Sequence, residues 1–92
     1  MKAGSNLPGD RWYHLWPRVA HDPFFLAGAW TATGRSLAAL AGALGTDEAT
    51  AIRVGVCRAP RPGEDRAAWT ARVSARFGLD AERVAGALVV LG

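Results

Sequence analysis

The sequence predicts an all-α protein: a compact orthogonal bundle of five or six short helices containing two helix-turn-helix-like hairpins. Three observations predict it. Residues 37–56 and 70–89 each run apolar helix, glycine, capping residue, apolar helix, with pivots at Gly45 and Gly78 and with Asp47 and Asp80 two residues after them. Alanine, leucine, valine and arginine dominate the chain, a palette that favours helices. Leu37, Leu40, Ala41 and Leu44 recur at i, i+3, i+4 and i+7, the spacing of one helix face.

The elements follow in order. Residues 1–9 read as a flexible lead, and 10–92 as a single helical domain. Asp10 is placed to cap a short helix over residues 11–16, with Trp12 and Trp16 four apart on one face, and Pro17 is placed to end or kink it. Asp22 followed by Pro23 reads as a helix start, and residues 23–32 as a helix apolar all round. Ser36 caps the amphipathic helix of residues 37–44, and Gly45 is placed to end it in the left-handed conformation. Thr46 is the expected N-cap of the next helix, with Asp47 and Glu48 in its first turn. Residues 51–57 alternate β-branched and other residues, a strand signal, but a lone strand needs a partner and no other segment offers one, so helix is the reading. Residues 58–63, with Pro60 and Pro62, form a loop. Glu64 and Asp65 open a helix with Trp69, Val73 and Phe77 on one face. Gly78 closes it, and Asp80 caps a last helix whose stripe is Val84, Ala85, Leu88 and Leu91.

Composition narrows the function classes. The chain has 92 residues, enough for one core with little apolar surface to spare. The net charge of +3 permits a nucleic-acid partner without demanding one, since there is no basic tail and no long charge run. The single Cys57 excludes an internal disulfide and fits a reducing cytoplasm. The first residues lack the apolar stretch of a signal peptide, and the longest uncharged run, residues 23–34, is too short to span a bilayer.

The residues around Gly78 resemble a helix-turn-helix of the bacterial repressor type: Val73 and Phe77 precede the glycine, Ser74 is the small residue four before it, and Leu79, Val84 and Ala87 follow. The unit around Gly45 matches less fully, because Thr46 stands where an apolar residue is usual. The resemblance spans about twenty residues each time and implies a DNA-binding role. The helices that would read bases begin with Asp47 and Glu48 or with Asp80 and Glu82, which phosphates disfavour. The string 44–49 followed by 57–62 also resembles small bacterial proteins with a Cys-Arg-x-Pro-Arg-Pro loop, a resemblance that carries no activity.

Candidate chemistry is sparse. Cys57 has no catalytic signature with His14 or His21, and these residues with Asp22 lack metal-ligand spacing, so no metal, cofactor or enzyme activity is expected. Arg53, Arg58, Arg61 and Arg66 fall within fourteen residues and suit an anion or an acidic partner face, unless Asp47, Glu48, Glu64 and Asp65 neutralise them. Arg72 and Arg76 read as stems laid beside Trp69. Trp30 and Trp69 are expected in the core. Trp12, Tyr13 and Trp16 suit either docking on the bundle or partner binding. The expectation is a non-catalytic cytoplasmic interaction or adaptor module, binding a protein through Trp12, Tyr13, Trp16, Arg58, Arg61 and Arg66, with a second copy of itself among the candidate partners. The alternative is a helix-turn-helix DNA-binding regulator or antitoxin-like protein, with Arg53, Arg58, Arg61 and Arg83 on DNA.

Overall fold

A computed structural model describes residues 8–91, with side chains from Tyr13 onward. The described chain is an all-α bundle of six short helices: α1 Pro8–Val19, α2 Leu26–Thr31, α3 Leu37–Leu44, α4 Glu48–Gly55, α5 Arg66–Phe77 and α6 Ala81–Leu91. Consecutive pairs α3–α4 and α5–α6 are the two glycine-closed hairpins. No described helix is long and apolar enough to cross a membrane.

The hairpin grammar of the sequence holds in detail for α3. Ser36 accepts from the Ala39 N–H, and Gly45 takes φ 70°, ending the helix where a side chain would be strained. Leu40, Ala41 and Leu44 are buried and Leu37 is half-buried, so the predicted stripe is the one that packs. α4 is a helix, as preferred over a strand. It is capped by Asp47, which accepts from the Thr50 N–H, rather than by Thr46 one residue earlier. Asp65 caps α5, and Asp80 accepts from the Glu82 N–H at the start of α6.

α4 is the hub. α1, α2, α3 and α5 all pack on it, and Ala51, Ile52 and Val54 are fully enclosed. The core joins Leu26 and Trp30 of α2, the α3 stripe, Trp69 and Val73 of α5, and Val84, Ala87 and Leu88 of α6. Trp30 and Trp69 are both buried, and each indole N–H is satisfied by a backbone carbonyl, of Ser36 and of Arg58 respectively.

Three further expectations are corrected. α1 begins at Pro8 and runs through Pro17 to Val19, with Ala20 N–H donating to the Trp16 carbonyl. Packing of α1 along α4 holds the helix across the one bond that Pro17 removes. Asp10 therefore lies within α1, and the part of the expected lead before Pro8 falls outside the described residues. Asp22 and Pro23 open a turn and not a helix: Asp22 accepts from the Phe24 N–H, and α2 starts only at Leu26. The intervening backbone is committed elsewhere. Leu26 N–H donates to the Cys57 carbonyl and Ala59 N–H to the Phe24 carbonyl, around an isolated antiparallel bridge between Phe25 and Arg58. On α6, Ala87 takes the core position expected of Ala85, which is exposed.

Candidate functional site

Of the expected aromatic arm, Trp16 is docked on the bundle. Trp16 packs against the core, its ring beside Gly55, where an added Cβ would come within 3.0 Å of Cζ3. Tyr13 is half-exposed, and its hydroxyl donates to Glu48 at the start of α4. The Trp12 side chain lies outside the described residues.

The expected arginines divide between different places. Arg58 forms a two-pronged pair with Glu64, at 2.8 and 2.9 Å, and also donates to the Ala59 carbonyl. Arg61 has an exposed side chain, while its backbone N–H donates to the same Glu64 carboxylate. Arg66 reaches the other way and donates to the Leu88 carbonyl at 3.3 Å. Arg83 lies against the α3–α4 turn, where a Cβ on Gly45 would meet its Cδ at 2.8 Å.

A different set converges. Arg53 in the last turn of α4 and Arg76 in the last turn of α5 both place Cζ 5.4 Å from the centroid of the Phe77 ring. Each gains the attraction of a guanidinium for an aromatic face. With Val56 and Cys57 they line a hollow of about 230 Å³. A second hollow of about 290 Å³ continues past Cys57 and Arg76 to Arg72, Arg58 and the buried Trp69. Arg72 is exposed and reaches Glu64 at 3.5 Å. Glu64 is thus shared within its own loop, and the strip from Arg53 through Arg76 to Arg72 gathers three arginines along two adjoining hollows.

Burial pushes the Cys57 thiol up, with Arg76 pulling the other way, so at neutral pH it is a thiol and no activated nucleophile. Its Sγ lies 3.7 Å from the Arg53 carbonyl. His14 and His21 are exposed. Among the described residues no three of His, Cys, Asp and Glu are gathered to hold a metal ion.

Sequence reasoning passed over Arg72 and Arg76 as site residues. Their i, i+4 spacing puts them on one face of α5, and that was the available signal. What it lacked was the placement of Arg53 beside them, which depends on how α4 and α5 meet.

No family model matches the chain, and neither a curated protein nor a solved structure shows significant similarity to it.

Proposed function

We propose that the chain is a non-catalytic interaction module that takes an acidic segment of a partner protein on the arginine strip of α4 and α5. The observation that carries this reading is the convergence of Arg53 and Arg76 over the Phe77 ring beside the Cys57 hollow. Both guanidiniums lie 5.4 Å from one ring centroid and line one hollow, where a carboxylate can take charge-assisted hydrogen bonds from them. Phe77 and the Trp69-lined hollow give an apolar side chain next to the carboxylate somewhere to bury. Arg53, Arg72 and Arg76 are the main contacts. Trp16 is already engaged in the bundle. The free Cys57 is in keeping with a reducing compartment such as the cytoplasm.

DNA reading is the weaker proposal. α4 is packed on by four helices, so little of it is left to enter a groove, and its first turn carries Glu48. Titration calorimetry of the purified chain with a Glu-rich peptide and, separately, with mixed-sequence duplex DNA at about 50 mM salt tests the two readings. Peptide binding that falls roughly tenfold or more on Arg53→Ala plus Arg76→Ala, and little on Arg18→Ala, is expected. DNA binding with no peptide binding overturns the proposal.

A further inference from the structure

α5 and α6 leave a groove on the side of α5 away from the arginine strip. The two helices run antiparallel: Arg66 at the start of α5 bonds the Leu88 carbonyl near the end of α6. The groove holds about 520 Å³, and small apolar side chains form its walls, Ala67 and Ala71 from α5 with Ala81 and Ala85 from α6. All four alanines are exposed. At one end stands Val89, 74% exposed, a residue type that folding ordinarily buries.

The charges at the groove ends decide what fits it. Arg66 stands with Val89 at one end, and Glu82 with Ala81 at the other. Glu82 makes no ion pair among the described residues. A two-fold axis through the middle of the groove reverses one copy on the other, so that each end meets its opposite. Arg66 then faces the partner's Glu82, and Val89 enters the alanine-walled end of the partner's groove. An isologous interface needs this self-complementarity, and the chain already carries both halves of it.

We infer that the α5–α6 groove is a homodimer interface, in which two copies pack antiparallel as a four-helix layer with reciprocal Arg66–Glu82 pairs. The alanines let the helices of the two copies approach closely, and Val89 is the anchor. The interface leaves Arg53, Arg72 and Arg76 uncovered on each copy, so the dimer presents two arginine strips and binds a partner with repeated acidic segments more tightly than one copy does. This inference rests on a different face from the proposed partner site and stands or falls separately from it.

Sedimentation equilibrium of the full chain, from about 1 μM to about 500 μM at low salt, reads the result. The wild-type protein is expected to move from the 9.7 kDa chain mass to twice that mass. Val89→Glu weakens self-association roughly a hundredfold, because each change counts twice across a two-fold interface. Arg66→Glu weakens it roughly tenfold, and adding Glu82→Arg to the same chain restores it. Circular dichroism checks that each variant keeps the helical fold. A wild-type monomer at every concentration overturns the inference. So does a dimer indifferent to Val89→Glu, or a charge-reversed double variant no tighter than Arg66→Glu alone.

Discussion

Arg58 and Glu64 close the proline loop between α4 and α5 with a two-pronged ion pair, and Glu64 also accepts from the Arg61 N–H. The Arg58 guanidinium, helped by that N–H, holds the Glu64 carboxyl at about 2, below its ordinary 4.5. The unfolded chain therefore takes up a proton on Glu64 at a higher pH than the folded chain does. The pair's contribution is complete above about pH 4.5 and is lost as the pH falls toward 2. Glu64→Gln is expected to lower the midpoint of thermal unfolding at neutral pH. The gap between variant and wild type should close on acidification through that window. A gap that stays constant down to the bottom of the window would show that the ion pair is not its source.

Gly28 in α2 is required by a close approach of backbone. A Cβ there would lie 1.9 Å from the Asp22 carbonyl oxygen and 2.8 Å from the Pro23 nitrogen, neither of which is the end of a flexible side chain. Gly28→Ala is expected to cost about 3 kcal/mol in urea denaturation, as overpacking pushes the 20–24 turn outward. Gly42, exposed within α3, has nothing within 4 Å of the same added atom. There Gly42→Ala is expected to gain about 0.8 kcal/mol from helix propensity alone.

The elements that were legible in the sequence are those stabilised by local chemistry. Ser36 and Gly45 bound α3 through hydrogen bonds within a few residues of each other, and Leu37 to Leu44 show the period of the face they bury. Asp65 and Gly78 do the same for α5. Misread elements are those where distant parts of the chain decide. Pro17 stays in α1 because α4 lies beneath it, and α2 starts late because Phe24 and Leu26 bond to the chain around Arg58. The candidate site followed the same division. The arginine-rich stretch was visible, but Glu64 withdraws Arg58 from it, and the pairing of Arg53 with Arg76 is made only by the meeting of α4 and α5.

The start of α4 separates two adjacent candidates for one cap. Asp47 accepts from the Thr50 N–H at 2.8 Å, and that bond holds its carboxyl below the usual range. Thr46 is instead the residue whose N–H returns to the Ala41 carbonyl to finish the α3 turn, a backbone role that alanine also fills. Asp47→Ala is expected to cost about 1 kcal/mol and Thr46→Ala much less, read from denaturant midpoints at unchanged slope. Equal losses would mean that the threonine hydroxyl shares the cap.

Ser74 carries the last prediction. It is buried beneath the α5–α6 turn, and its backbone carbonyl is well used, accepting from the Leu79 N–H. Its hydroxyl has no hydrogen-bond partner among the described residues. Removing a buried hydroxyl from water without replacing its hydrogen bond is unfavourable, and alanine avoids that cost in nearly the same volume. Alanine also has the higher helix propensity, in a helix where Ser74 is an interior position. Ser74→Ala is therefore expected to raise stability by about 1 kcal/mol, measured by urea denaturation. A loss of comparable size would mean that the hydroxyl serves a contact which alanine cannot make. Because Ser74 is buried on α5, on neither the arginine strip nor the alanine groove, the same substitution should leave acidic-peptide binding and the sedimentation mass unchanged.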